Sequence, residues 1–238
     1  MRPKTLSVVI LLFIVLTSLT AFSQQDYVNR FDAYAGYGYF ATPSLSLNQN
    51  GFNGEFGWNA KTWVALGFDF SVFTGDNTIT PSMLTPVLQQ TLAGEIALLQ
   101  SVGELPPGYQ LRMPTSSTTY TYSAGPQFNI RHFKPVTIFV RPALGSLHEV
   151  ASLHPASNDP FAQQVALTLA GPNMQKTDTV TFYGVGGGLD FNLSKHFGVR
   201  TAVDYVHYNM FTNVLGSSQN SIRFSVGPTF RFGGNIVK

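Results

Sequence analysis

The sequence predicts an all-β protein, an eight-stranded antiparallel up-and-down transmembrane β-barrel with helical insertions in long extracellular loops. Three observations carry that expectation. Late in the chain, Ser225–Phe232 alternates strictly: Val226, Pro228, Phe230 and Phe232 fall on one face and Ser225, Gly227, Thr229 and Arg231 on the other, because successive strand side chains point to opposite faces. The chain opens on an export signal. Between the two, no apolar stretch is long enough to cross a bilayer as a helix, so any crossing is by strands, and closure is what satisfies their backbone groups in lipid.

The signal is read from Arg2 and Lys4, the apolar run Leu6–Leu16, and the small residues of Ala21-Phe22-Ser23. Residues 1–23 are therefore expected to be removed, leaving one barrel domain over 24–238. The apolar run is about half the ~20 residues a membrane helix needs, and no cysteine is present to carry a lipid anchor.

Loss of Arg2 and Lys4 leaves 12 basic against 12 acidic residues. A neutral chain without basic blocks has no electrostatic footprint for nucleic acid. With no cysteine, thiolate catalysis and cysteine metal sites are excluded, and an oxidising compartment is tolerated without disulfides.

Eight segments alternate over roughly the 9–11 residues of a tilted membrane strand. The first, Arg30–Phe40, sends Phe31, Ala33, Ala35, Tyr37 and Tyr39 outward. The second, Phe52–Trp58, sends out Phe52, Phe56 and Trp58, and a short turn at Asn59–Thr62 leads to Trp63–Phe73, with Val64, Leu66, Phe68, Phe70 and Val72 outward. The fourth is Thr118–Ile130, followed by the turn Arg131–Pro135. The fifth, from Val136 to about Leu147, contains Pro142, which removes a ladder bond and predicts a bulge.

The sixth, Thr179–Leu193, carries inward glycines suited to a crowded interior. The seventh runs from Phe197 to about Asn209 and the eighth from Ser221 to Phe232. Short turns and both termini then share one side, expected to be periplasmic, and long loops near 41–51, 74–117, 150–178 and 210–220 lie opposite. Two loops carry helical periodicity: Ser82–Val102, with Ser82 as cap and Leu84, Leu88, Leu92, Ile96 and Leu99 as stripe, and a segment opened by Asn158-Asp159-Pro160 and closed by Gly171-Pro172. Packed together they would form a lid; with their apolar faces free they would bind a hydrophobic ligand or partner.

The inward positions collect Asp32, Glu55, Asp69, Asp190 and Asp204 with Arg131, Arg141, Arg200, Arg223 and Arg231. Eight strands leave an interior just wide enough for side chains, and unpaired charge there costs several kcal/mol per ion. A mutually neutralising network that plugs the lumen is the expected arrangement. A polar pore is the alternative, although a wide channel needs about twice as many strands.

The final strand resembles the C-terminal signal read by the barrel-assembly machinery, with Ser225, Gly227, Phe230 and Phe232 in its slots and six residues following. With Phe31–Tyr37 and the turns at Arg131–Pro135 and Asn192–His196, the chain resembles the small bacterial outer-membrane β-barrel superfamily with the OmpA-type fold. That resemblance implies an outer-membrane location, contact with outer-membrane lipid and lipopolysaccharide, and a structural or surface-interaction role with no catalytic residues to carry over. A narrow conduit for small or hydrophobic solutes, as in OmpW-type barrels, is the alternative role; the extracellular partner is open.

Some small barrels modify lipid A, so the five histidines are candidate bases. Only His148 and His207 fall where lipid A would be met. Ser146 and Glu149 flank His148, but adjacent strand residues point to opposite faces, so a nucleophile–base–acid set is not formed by spacing alone. No histidine spacing suits a metal. The chain is expected to be non-enzymatic and to need no cofactor.

Overall fold

The computed structural model describes residues 25–237; the expected signal peptide lies outside them. The strands are β1 (Asn29–Thr42), β2 (Leu47–Lys61), β3 (Val64–Ile79), β4 (Met113–Ile130), β5 (Val136–Leu153), β6 (Gln175–Asn192), β7 (Phe197–Tyr208) and β8 (Gln219–Asn235). Each is antiparallel to its sequence neighbour, and β1 closes on β8 to make an eight-stranded barrel. Among the described residues no helix is long and apolar enough to cross a membrane.

The apolar band is built by alternation, as expected. On β3, Leu66, Phe68 and Phe70 are exposed while Asp69 and Ser71 are buried between them. At the turn end, Phe31 is paired with Trp58 on one side and Phe232 on the other, and its ring stacks on that of Phe232 with centroids 5.5 Å apart. These rings form one girdle of the band.

Most strands run further than alternation between lipid and lumen predicts, because beyond the lipid band the alternation persists with its sense reversed. Leu47, Phe73, Met113, Leu147 and Leu153 point inward and are buried, while neighbouring Asn48, Thr74, Pro114 and Ser152 turn outward. There the sheet faces water outside and builds a soluble-type core inside. The expected loop bounds shift as a result, and one turn is shortened at the other end of the barrel. The loop expected at 41–51 is only a four-residue turn, Pro43–Ser46, between paired strands. The loop expected from Thr74 begins after Ile79, and the short turn at Asn59–Thr62 shrinks to Thr62 and Trp63.

The bulge expected at Pro142 is absent. Ala124↔Leu144 and Phe128↔Val140 keep one register, in which Pro126 stands opposite Pro142. Neither proline has an N–H, so the ladder is interrupted there without adding a residue. On its other edge β5 pairs with β6 continuously.

Both loop helices form. α1 (Pro86–Ser101) is capped by Thr85, whose hydroxyl accepts from Leu88 N at 3.4 Å, and not by Ser82. Ser82 instead sits in a 3₁₀ turn, Pro81–Met83. Pro86 and Pro160 fall in the first helical positions, where no donor is lost. α2 (Pro160–Ala170) is capped by Asp159, accepting from Ala162 N at 2.9 Å, and ends at Gly171 with φ 79°.

Candidate functional site: the filled lumen

The inner faces of the strands stack three zones along the barrel axis. The central zone is ionic. Asp190 on β6 accepts from Arg200 on β7 through Nε and Nη2, at 2.7 and 2.9 Å. Arg200 reaches across the lumen to Glu55 on β2 at 2.6 Å and to Asp32 on β1 at 3.2 Å. The other oxygen of Glu55 accepts from Arg141 on β5, which also binds both oxygens of Asp204 at 3.0 Å.

Asp204 accepts in addition from Arg223 on β8 at 3.0 Å, and Arg223 donates to Asp69 on β3 at 2.6 Å. The result is a continuous alternating chain, Asp190–Arg200–Glu55–Arg141–Asp204–Arg223–Asp69, which ties six strands together across the interior. Arg200 is 1% exposed and Asp204 2%. Bidentate guanidinium–carboxylate geometry of this kind is what can compensate ionic desolvation.

Neutral groups complete the zone. Ser71 and Thr121 accept from Arg223 at 2.9 and 3.3 Å, and Asn53 donates to Asp69 at 2.7 Å. The ring of Phe139 lies beneath both guanidiniums, 5.0 Å from Arg200 and 5.8 Å from Arg141. Sequence reading missed Phe139, although its inward parity between Ile138 and Val140 was available. Two inward arginines stand apart from the chain: Arg231 lies 3.6 Å from Asp190, and Arg131, among the described residues, binds only neutral oxygens.

Above this zone the lumen becomes apolar, which was also missed. Phe40 stacks on Phe73 with centroids 5.3 Å apart, and Leu147, Phe182, Val206 and Tyr208 join them. The core continues without a break into the loops: Leu92 of α1, Ala162, Val165 and Ala166 of α2, and Met210, Phe211, Val214 and Leu215 of the last loop are all buried in it. Leu84 bridges to Leu215. Tyr109 ties the two long loops by donating to Asp159 at 2.6 Å and meeting Phe161 edge-on at 5.8 Å. Burial and the Asp159 carboxylate both push the Tyr109 phenol well above its ordinary range.

Glu149 is buried in this apolar zone, beside a cavity of about 50 Å³. The flanking His148 faces outward, its Nδ1 2.7 Å from Thr179 Oγ1. His207 is likewise outward, 2.7 Å from Asn220 Oδ1. Histidine and acid thus lie on opposite sides of the barrel wall. On β8, Phe230 faces outward, with Phe232 sharing its face, while Ser225 is 1% exposed and inward with Gly227.

A closed eight-stranded barrel with an apolar belt, an aromatic girdle and a polar-filled lumen is the construction of an outer-membrane barrel protein. The sequence matches the outer membrane protein beta-barrel domain over residues 9–230, and the chain belongs to that family. Neisserial surface protein A (NspA) superposes with a TM-score of 0.52 at 11% identity, covering 85% of this chain and 96% of that one. OprG from Pseudomonas aeruginosa gives 0.47 at 9% identity, with 89% and 100% covered. Ail of Yersinia pestis, solved with the heparin analogue sucrose octasulfate, gives 0.45 at 14% identity, with 85% and 96% covered. No curated protein matches the sequence. The protein is thus a bacterial outer-membrane β-barrel.

Proposed function

We propose that this barrel is a non-enzymatic, sealed scaffold that holds a folded outer domain at the cell surface. The ionic chain from Asp190 to Asp69 carries this reading, because it joins six strands through the middle of the lumen. The apolar core above it supports the same reading: loops that share a core with the barrel are a presented domain and not free tethers.

In this reading the termini and short turns face the periplasm, the helices face outward, the outer surface meets lipid and lipopolysaccharide, and Ser225, Gly227, Phe230 and Phe232 are read by the assembly machinery. The cysteine-free chain permits a clean test. A membrane-impermeant maleimide added to intact cells labels Ser101→Cys at the end of α1 and spares Ser194→Cys in the β6–β7 turn. The opposite pattern overturns the orientation. Proteoliposomes of the pure protein do not swell in small sugars; swelling would overturn the sealing.

A second reading, a narrow conduit, is favoured by the interrupted β4–β5 ladder at Pro126 and Pro142. There the wall thins to backbone unjoined by hydrogen bonds, beside a crevice of about 10 Å³. Were that seam a lateral exit, a disulfide between Ala124→Cys and Leu144→Cys would abolish solute passage.

A further inference from the structure

At the end of the barrel that carries the termini, the lumen opens into a vestibule of about 320 Å³, separated from the outer loops by the whole ionic chain. Two guanidiniums line it that the chain does not consume. Arg131, at the start of the β4–β5 turn, donates from Nε to Thr62 O at 2.8 Å, from Nη2 to Asn59 Oδ1 at 3.0 Å and from Nη1 to Gln25 Oε1 at 3.4 Å. All three acceptors are neutral.

Arg231, on the last strand, has its side chain nine-tenths buried, and its Nη2 makes no hydrogen bond among the described residues. The carboxylate nearest to it, Asp190 at 3.6 Å, already receives two bonds from Arg200. The other acids of the vestibule are also engaged: Asp32 by Arg200 and Asn59, and Asp26 by Lys134 at 2.8 Å.

We propose that this vestibule is an anion site, taking a small phosphate- or carboxylate-bearing molecule between the guanidiniums of Arg131 and Arg231. The planar donor fork of arginine matches either group in bidentate fashion. Arg131 is half-buried on neutral acceptors and Arg231 shares Asp190 with Arg200; charge removed from water with incomplete compensation is costly, so the site gains by acquiring a negative charge. Burial pushes the Arg131 guanidinium down to about 10, which leaves it charged at neutral pH and short of compensation. Lys195, held over the Tyr27 ring at 5.2 Å, adds positive charge at the entrance.

The test is calorimetric titration of the mature protein, folded in a neutral maltoside detergent at low salt, with inorganic phosphate in one arm and glutarate in the other. One saturable site is expected for at least one anion, and the better-bound arm identifies the ligand class. Arg131→Gln and Arg231→Gln each weaken it at least tenfold, while Arg112→Gln in the opposite loops changes it less than twofold. Absence of saturable binding in both arms, or binding that survives both glutamine variants, overturns the proposal. If a variant fails to show the heat-modifiable mobility of a folded barrel, backbone amide shifts in the wild type decide. Shifts at Asn29 and Asn59 on adding the anion support the site, and shifts elsewhere or nowhere refute it.

Discussion

Gly186 and Asp204 face one another across the β6–β7 ladder, and a Cβ on Gly186 would lie 1.8 Å from Asp204 Oδ1. The hydrogen at that position makes room for the carboxylate on which Arg141 and Arg223 converge. Gly186→Val is therefore expected to push Asp204 off its partners and to lower stability by about 1–3 kcal/mol through overpacking alone, with further loss from the disturbed ion pairs. Urea unfolding in micelles, followed by the gel shift between folded and unfolded barrel, measures it. An unchanged midpoint would show that the ionic chain does not depend on this gap.

Glu55 joins the two halves of the chain, since its separate oxygens receive Arg200 and Arg141. Glu55→Gln keeps the shape and removes the charge, leaving two buried guanidiniums under-compensated. Breaking a buried pair by deleting one partner costs about 3–5 kcal/mol. The same urea titration should show a loss of that size, well above that of Asp26→Asn, which disrupts an exposed pair worth about 0–1 kcal/mol.

Glu149 presents the reverse case. It is 4% exposed, with the hydroxyls of Ser117 and Thr119 beside it, and no lysine, arginine or histidine nitrogen of the described residues lies within 4.0 Å of it. Burying it costs either an uncompensated charge or the uptake of a proton, so Glu149→Gln is predicted to raise stability at neutral pH by about 1 kcal/mol or more. A lower unfolding midpoint would indicate that Glu149 has a partner beyond the fold.

The Tyr109–Asp159 bond sets a pH limit on docking of the loops. The phenol is held neutral above its ordinary value, so above about pH 10 the undocked chain ionises first and releases more protons. The docked form thus loses stability as pH rises from there. Protease nicking between 80 and 112 should accelerate above pH 10 in wild type. In Tyr109→Phe that acceleration should vanish, and nicking at neutral pH should be faster than in wild type because the bond to Asp159 is gone.

The lipid-facing fold was legible in the sequence because Phe68-Asp69-Phe70-Ser71 is a plain period-two pattern, and the turns at Arg131–Pro135 and Asn192–His196 end strands close to where they are observed. The strand extensions were not, for a physical reason. At Phe73-Thr74 and Ser152-Leu153 the apolar residue moves from the outer face to the inner one as the solvent outside changes from lipid to water, and a pattern sought with a single sense stops there. The inward charges could be placed by parity, but their partnerships could not. Parity puts Glu55 and Arg200 in one lumen, whereas the contact between them depends on strand tilt and on the height of each residue around a closed ring. Arg131 shows the limit: it was grouped with the network by sequence, but sits below it on neutral acceptors.

Planar-bilayer conductance of the purified mature protein shows whether the ionic chain blocks the lumen. The wild type is predicted to be silent, and a variant carrying both Arg141→Ser and Arg200→Ser, which removes the two guanidiniums that cross the interior to Glu55, is predicted to pass current. Steady current through the wild type would show an open lumen and favour the conduit.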